Sequence, residues 1–195
     1  MSVNRILEQL GVFFRPDFLD PGECRELIAA IDSTKSRPGG LYDEVEQVQF
    51  DTAIRKVSET ADKVAGVESL KERLHGLLPE LAQHFQASIE EIEGPSLLAY
   101  GPGDFFLPHR DDGEGDVKGR KVTAVIFLNC PQSPHGGYEG AELSLFELMT
   151  FPGAANHGLP VEAETGLLVA FPSHLRHGVD KLVRGSRYCA VSWFR

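Results

Sequence analysis

Several features that mark whole classes of protein are scarce or missing here. Only three cysteines occur in 195 residues, at Cys24, Cys130 and Cys189, an odd and widely spaced set. This set fits neither a disulfide framework nor a zinc site, so we expect a reducing, cytoplasmic environment. No apolar run is long enough to span a bilayer, and no signal-type apolar run follows the first residues, so we expect no membrane partner.

Positively charged residues are also fewer than negatively charged ones. The 19 lysine and arginine residues face 29 aspartate and glutamate residues, which gives a formal net charge of −10. An acidic surface is a poor match for a phosphate backbone, so we do not expect a nucleic acid as partner or substrate. Neither an internal repeat nor a low-complexity tail is visible in the sequence.

What is present is the composition of an ordinary soluble protein. Hydrophobic residues make up 42% and charged residues 25% of the chain, as in typical globular domains. The length suggests one domain with a sizeable core. We therefore treat residues 1–195 as a single domain, with a helical first half and flanking strands over 1–94 and a β-rich core over 95–195.

The first half of the chain contains two clear helical signals. In Asp20-Pro21-Gly22-Glu23 the aspartate suits an N-cap, the proline suits the first helical position, and the glutamate can complete a capping box. From Ser69 to Gln86 leucines recur on one side, and Pro79 predicts a kink or two separate helices. We expect these helices to cover one face of a sheet. The alternative is that parts of this half, such as the Arg37–Tyr42 loop, form a substrate lid.

The second half has the pattern of a β protein, because short apolar runs alternate with turn residues. The candidate strands are Ser96–Tyr100, Phe105–Asp111, Val122–Leu128, Ala141–Phe146, Thr165–Phe171 and Tyr188–Phe194. About six strands at this spacing suit a jelly roll, whose two sheets leave a mouth for a small ligand. The predicted fold class is therefore α+β and mainly β, a jelly-roll core with N-terminal helices buttressing one sheet.

The triplet His109-Arg110-Asp111 is the first candidate for chemistry. If it lies on a strand, its alternate side chains face the same side, and His109 and Asp111 point together into one cavity. An imidazole and a carboxylate side by side are two of the three ligands of the facial triad that holds non-heme Fe(II). Such a triplet also arises by chance in many chains, so the prediction depends on what else the second half provides.

A third ligand must come from the remaining histidines of the second half. His135 and His157 lie in glycine-rich loops and are most simply solvated. His174 falls in a turn, whereas His177 begins the next extended segment, so we favour His177. The alternative is that His177 is a buried, hydrogen-bonded histidine with no metal.

Arg187 is the candidate for binding a ligand anion. It lies on the last predicted strand, where an arginine facing a jelly-roll cavity is costly unless it pairs with a carboxylate. No partner is obvious in the sequence, and a ligand carboxylate would supply one through a bidentate contact. The alternative is an arginine at the rim that pairs with a surface aspartate or glutamate.

Taken together, these motifs resemble the catalytic domain of the prolyl 4-hydroxylase-like Fe(II)/2-oxoglutarate dioxygenases over about residues 95–194. The matching segments, in order, are Tyr100–Gly103, His109–Asp111, Val125–Asn129, Gly140–Phe146, Ala170–Ser173, His177–Val179, Arg184–Tyr188 and Ser192–Phe194. The ordered set is far more specific than any one motif.

The resemblance implies a double-stranded β-helix with His109, Asp111 and His177 as iron ligands. It implies that Arg187 anchors the distal carboxylate of 2-oxoglutarate and that Tyr100 lies in the co-substrate pocket. Several relatives have a tyrosine that assists this arginine where the present chain has Phe127. The hydroxyl must then come from elsewhere, and Thr123 and Tyr100 are possible sources.

The activity that the resemblance implies is hydroxylation of a C–H bond, with 2-oxoglutarate and O2 consumed and succinate and CO2 released. The carboxylate at Asp111 favours hydroxylation, since related halogenases have a small residue there. Ascorbate is a possible further cofactor. We lean towards a prolyl residue in a peptide or protein as substrate. The alternatives are a free amino acid or small natural product, a cupin-like metalloenzyme that does not bind 2-oxoglutarate, and a non-catalytic sensing or binding domain. The oligomeric state is not readable from the sequence.

Overall fold

The structure is a computed structural model that describes residues 2–34, 36–38, 41–42, 48–49, 53–60, 64–134, 136–149 and 153–195. Its helices are α1 (Val3–Gln9), α2 (Pro21–Ser33), α3 (Val67–His75) and α4 (Leu78–Phe85), with 3-10 turns at Gly115–Val117 and Ala154–Asn156. The strands are β1 (Phe13–Arg15), β2 (Ser36–Pro38), β3 (Leu41–Tyr42), β4 (Val48–Gln49), β5 (Arg55–Lys56), β6 (Ser58–Thr60), β7 (Ile92–Tyr100), β8 (Phe105–His109), β9 (Val122–Phe127), β10 (Glu139–Gly140), β11 (Leu143–Leu145), β12 (Leu159–Pro160), β13 (Leu168–Pro172), β14 (His177–Val179), β15 (Leu182–Arg184) and β16 (Arg187–Phe194).

Two antiparallel sheets form the centre of the molecule. The major sheet has the strand order β1-β13-β9-β16-β7-β6-β2, and the minor sheet has the order β12-β11-β14-β8-β5. Strands that are far apart in sequence lie side by side, as in a jelly roll. The predicted jelly-roll core is confirmed, and all six candidate strands are present with shifted ends.

Strand β9 shows how the sequence builds two cores from one sheet. All six of its residues are buried, because its two faces are covered by different layers. Val122, Ala124 and Ile126 belong to the core beneath the helices. Val125 and Phe127 belong to the core between the two sheets. Since successive side chains of a strand point to opposite faces, a continuous apolar run serves both layers.

The predicted helices lie on the outer face of the major sheet. Asp20 accepts hydrogen bonds from the backbone of Gly22 and Glu23, and the Glu23 carboxylate accepts one from the Asp20 backbone, which completes the predicted capping box. The second predicted region forms two helices, α3 and α4, with Pro79 in the first turn of α4, where a missing N–H is tolerated. The helical layer over one sheet is thus confirmed.

One short segment that the sequence did not reveal links the two sheets. Strand β5 pairs with β8 of the minor sheet, and β6 pairs with β7 of the major sheet. Residues 55–60 therefore pass from one sheet to the other and close one side of the space between them. Strands of two or three residues are too short for a recognisable periodicity.

Some predictions fall on parts of the chain outside the described residues. The proposed lid, Arg37–Tyr42, includes two such positions, 39 and 40, and His135 is another. Among the described residues, no helix has both the length and the apolar character needed to cross a bilayer.

Candidate functional site

The three predicted metal ligands converge at one end of the space between the sheets. One ligand atom from each of His109, Asp111 and His177 lies within 4.8 Å of the other two. His109 Nε2 is 3.4 Å from Asp111 Oδ1, and His177 Nε2 is 3.3 Å from Asp111 Oδ2. Two imidazoles and one carboxylate within reach of one ion match the donor set of non-heme Fe(II) centres.

The route by which the chain achieves this differs in part from the prediction. His109 is the last residue of β8, opposite His177 on the neighbouring β14. Asp111 lies beyond the strand, not on it, so the predicted strand Phe105–Asp111 is two residues too long. The Asp111 backbone N–H instead donates to Ser173 O at 2.9 Å, and this turn directs the carboxylate toward both imidazoles.

Backbone carbonyls determine which nitrogen of each imidazole faces the carboxylate. His109 Nδ1 lies 2.9 Å from Leu107 O, and His177 Nδ1 lies 2.9 Å from Leu175 O. Because a carbonyl oxygen can only accept, Nδ1 carries the proton in each ring, and Nε2 is left for a metal. Two Nε2 lone pairs and a carboxylate then face one another, an arrangement that a bound cation would stabilise.

The pKa values of the three groups follow from their burial and proximity. Burial opposes ionisation of Asp111, but its interactions with the two neighbouring histidines, His177 first, hold the pKa of its carboxyl well below the ordinary value. Burial and the neighbouring His177 lower the pKa of His109. Burial also acts to lower the pKa of His177, but Asp111 outweighs it and raises that pKa. Asp111 is thus ionised and ready to bind a cation at neutral pH.

Buried hydroxyls fix the Asp111 carboxylate in place. Thr123 on β9 donates to Asp111 Oδ2 at 2.8 Å, and Ser173 Oγ lies 3.0 Å from the Thr123 hydroxyl. Both hydroxyl residues are fully buried. Thr123 was one possible co-substrate contact in the sequence, but the structure places its hydroxyl on the Asp111 carboxylate.

Aromatic rings support both histidines. Phe106 stacks on the His109 ring with centroids 3.5 Å apart. Arg55 lies over the Phe106 ring, with its guanidinium carbon 4.8 Å from the ring centroid. Phe171 meets the His177 ring edge-on at 4.8 Å. These contacts restrict the imidazole orientations beyond what the Nδ1 hydrogen bonds impose.

Arg187 lies in the same cavity and is 1% exposed. On β16 its side chain opposes Tyr100 of β7, and its guanidinium carbon lies 5.0 Å from the Tyr100 ring and 5.2 Å from the Phe127 ring. One guanidinium nitrogen is 3.3 Å from Cys189 Sγ, and Nε has no hydrogen-bond partner. Among the described residues, no carboxylate pairs with Arg187, so the predicted alternative of a rim arginine does not apply.

Two tyrosine hydroxyls interact with the Arg187 guanidinium, and the sequence suggested only one of them. The charge of the guanidinium acts on both Tyr100 and Tyr138, and in each case it favours the ionised hydroxyl. Burial raises the pKa of Tyr100 to about 12 and also raises that of Tyr138, so both hydroxyls stay protonated at neutral pH. Tyr138 precedes β10, in a segment predicted only as a loop, and its ring lies within the core between the sheets.

The cavity that joins these groups has a volume of about 380 Å³. This lies within the range of small-molecule sites. The lining residues are Arg55, Leu98, Tyr100, Phe106, His109, Arg110, Asp111, Asp112, Gly113, Glu114, Val117, Arg120, Thr123, Val125, Leu143, His177, Val179, Arg187, Cys189, Val191 and Trp193. His174, the rejected alternative to His177, is exposed and outside the cavity, and His157 bonds Gly153 O from a solvent-exposed position.

Comparisons with known proteins identify relatives of the chain. The chain is 25% identical over 185 residues to a PKHD-type hydroxylase of Picosynechococcus, an alignment that covers 93% of this chain and 77% of that protein. Alignments with PKHD-type hydroxylases of Parvibaculum lavamentivorans and Thermosynechococcus vestitus cover only 40% and 47% of those proteins.

Among solved structures, a prolyl-4-hydroxylase of Pseudomonas putida superposes with a TM-score of 0.72 at 24% identity and covers 100% of this chain and 98% of its own. A Trichoplax adhaerens prolyl hydroxylase, solved with a peptide fragment of hypoxia inducible factor, gives a TM-score of 0.69 at 22% identity and covers 100% and 87%. These likenesses establish the shared fold.

The sequence profile of the 2OG-Fe(II) oxygenase superfamily matches residues 95–195, the segment that contains every predicted ligand. The chain therefore belongs to the 2OG-Fe(II) oxygenase superfamily, and it is a dioxygenase that uses Fe(II), 2-oxoglutarate and O2.

Proposed function

We propose that the protein hydroxylates a C–H bond of a prolyl residue in a peptide or protein and releases succinate and CO2. The observation that carries this proposal is the convergence of His109, Asp111 and His177 in one cavity with Arg187. A buried guanidinium without a carboxylate partner complements a dicarboxylate co-substrate, since it can bind a carboxylate through two parallel hydrogen bonds. We infer a single domain in which residues 95–195 form the catalytic core.

Each residue of the site has a role in this proposal. The two Nε2 atoms and Asp111 hold Fe(II), which with 2-oxoglutarate and O2 supplies the oxidising chemistry. Arg187 binds the distal carboxylate of 2-oxoglutarate, and the neutral hydroxyl of Tyr100 stands beside it as a further donor. The apolar side chains of Val125 and Val191 line the cavity and limit the access of water to the reacting groups.

The prolyl substrate is favoured by the fold relatives. The Pseudomonas putida structure is described as a prolyl-4-hydroxylase, and the Trichoplax adhaerens enzyme was solved with a peptide. A free amino acid or small natural product remains the alternative substrate class. A non-catalytic binding domain is the alternative from another functional class, and only turnover separates it from an enzyme.

The test is turnover with a library of proline-containing peptides. Succinate release is measured with and without Fe(II) and 2-oxoglutarate, and mass spectrometry identifies products that gain one oxygen atom. We expect release to depend on both cofactors and to be lost in His109→Ala and in Arg187→Ala. If both variants keep full turnover, the assigned site is wrong. If free amino acids assayed in parallel gain oxygen and no peptide does, the peptide proposal fails while the reaction class stands.

A further inference from the structure

Strand β16 runs along the wall of the cavity and contributes residues to both of its ends. Arg187, Cys189, Val191 and Trp193 all line the cavity, because alternate residues of a strand face the same side. Arg187 and Trp193 are six residues apart, which corresponds to about 20 Å along an extended strand. Trp193 is opposite Thr123 on β9, and Thr123 bonds the metal ligand Asp111. Trp193 thus lies beside the proposed metal ligands and away from Arg187. Because the proposed function places 2-oxoglutarate at Arg187, we take the Trp193 end as the substrate side.

At this end a second arginine covers the tryptophan. The Arg120 guanidinium carbon is 3.9 Å from the Trp193 ring centroid, well within the range of a cation–π contact. Arg120 is 6% exposed, although it carries a full charge. Its Nε donates to Glu93 Oε2 at 2.8 Å, and its NH2 group donates to Glu93 Oε1. This bidentate pair fixes the plane of the guanidinium, and hence how it lies on the indole.

Glu93 also binds Arg195, which connects this end of the cavity to the loop that follows Asp111. Arg195 donates to Glu93 Oε2 from Nε at 3.1 Å and from NH2 at 2.6 Å. The same arginine donates to the backbone carbonyls of Lys118 and Asp116. These carbonyls belong to the loop that follows the metal ligand Asp111 and lines the cavity through residues 113, 114 and 117. A single carboxylate therefore connects this loop, Arg120 and β7.

A β-bulge accounts for the position of Glu93. The register between β7 and β16 shifts so that Ser96 opposes Val191 and Glu93 opposes Trp193. Opposed residues of an antiparallel pair point to the same face, so the bulge brings the carboxylate to the face of Trp193. Gly94, within the bulge, has a φ of +91°, and a Cβ atom there would lie 3.0 Å from both Ser96 N and Val191 O. Only glycine fits this position.

The indole offers an unused hydrogen-bond donor. Trp193 Nε1 is buried and has no hydrogen-bond partner among the described residues. An indole N–H can only donate, so an acceptor on a molecule bound in the cavity would satisfy it. We propose that Glu93 is a positioning residue for substrate: it holds the Arg120 guanidinium over the Trp193 ring and so preforms the wall that receives the substrate. The inference rests on the proposed function only in naming that wall as the substrate side.

The chain provides its own reporter for this wall, because Trp193 is its single tryptophan. Quenching of its fluorescence by acrylamide measures how much of the ring is accessible. In Glu93→Gln we expect a roughly twofold rise in the quenching constant, since release of the guanidinium uncovers one of the two ring faces. Glu91→Gln, at an exposed glutamate two residues away, is the matched control and should leave quenching unchanged.

Two further measurements separate positioning from a general structural role. Circular dichroism and Mn(II) calorimetry establish that a variant is folded with an intact metal site. With a peptide that the wild-type protein hydroxylates, Glu93→Gln should raise the KM for peptide roughly tenfold, the loss expected for a charge-assisted hydrogen bond, and leave the KM for 2-oxoglutarate unchanged. If Glu93→Gln does not fold, Arg120→Lys replaces it, because lysine keeps the charge but loses the planar contact.

The outcomes are distinct. Increased quenching together with a change confined to the peptide KM supports the inference. Unchanged quenching in a folded variant, or equal changes in both KM values, overturns it. If the wild-type protein releases no succinate with any peptide, the proposed function fails, and the quenching result still decides whether Glu93 positions the wall.

Discussion

The two ends of the cavity each contain a buried arginine, and the two arginines differ in what neutralises them. Arg120 is paired with the Glu93 carboxylate and stacked on Trp193. Arg187 is more deeply buried, and among the described residues it contacts two tyrosines and a cysteine but no carboxylate. A buried charge is costly unless it is paired. Arg120 is therefore paired within the fold, whereas Arg187 has no carboxylate partner among the described residues, which supports the proposal that it binds a ligand anion.

Removing the unpaired arginine should have the largest effect. Arg187→Met is expected to weaken 2-oxoglutarate binding by about 2–5 kcal/mol, the usual loss when one partner of a buried charge pair is removed. Calorimetry with Mn(II) in place of iron measures this affinity without turnover. Arg187→Lys should retain only part of the affinity for 2-oxoglutarate, because an ammonium group cannot bind a carboxylate in a bidentate manner. Wild-type affinity in Arg187→Met would mean that the anion binds elsewhere.

Replacement by methionine should change the free energy of unfolding in opposite directions at Arg187 and at Arg120. In the absence of ligands, Arg187→Met should raise the free energy of unfolding by about 1–3 kcal/mol, because it removes a charge that has no carboxylate partner. Arg120→Met should lower it by about 1–3 kcal/mol, because it removes a donor pair from a partly buried carboxylate. Urea unfolding of both variants measures the two changes. Changes of the same sign would contradict the comparison.

A smaller effect is expected at the Thr123 hydroxyl, which donates to the carboxylate of the proposed metal ligand Asp111. Thr123→Val keeps the shape of the side chain and removes its hydrogen bond to Asp111. Loss of such an outer contact typically lowers metal affinity about 10–100-fold. Thr123→Ser retains the hydroxyl and is the control. Equal Mn(II) affinities of the valine variant and the wild-type protein would show that the carboxylate needs no support.

The smallest expected effect is the dependence of the Glu93 contribution to stability on pH. Burial acts to raise the pKa of Glu93, but Arg120 and Arg195, which donate to it from either side, outweigh this and hold the pKa below its ordinary value of 4.5. Its stabilising contribution is therefore present above 4.5 and lost as the pH falls through the lower folded-state pKa. The stability difference between wild type and Glu93→Gln should narrow as the pH drops below 4.5. A difference that is constant with pH would contradict this assignment.

The sequence predicted the fold to the extent that it follows from periodicity and capping. The capping box at Asp20, the break at Pro79 and the six apolar strands have local signatures, and the structure contains each of them. The short strands Arg55–Lys56 and Ser58–Thr60 have no such signature. Their partners lie about 50 residues further along the chain for Arg55–Lys56 and about 40 for Ser58–Thr60, so no local pattern could reveal them.

The site was predictable where a motif carried it. His109, Asp111, His177 and Arg187 were identified from residue type, order and resemblance, and the structure brings them into one cavity. Tyr138 and Glu93 were missed because their roles arise from tertiary contacts. Tyr138 lies on an irregular segment, and Glu93 comes opposite Trp193 only through a bulge that shifts the strand register.

The most direct test of this account is a crystal structure with Mn(II) and 2-oxoglutarate, in which anomalous scattering locates the metal. We expect the metal to be bound by His109 Nε2, Asp111 and His177 Nε2, with the distal carboxylate of 2-oxoglutarate on the Arg187 guanidinium. A metal bound at other residues, or a 2-oxoglutarate molecule that does not touch Arg187, would contradict it.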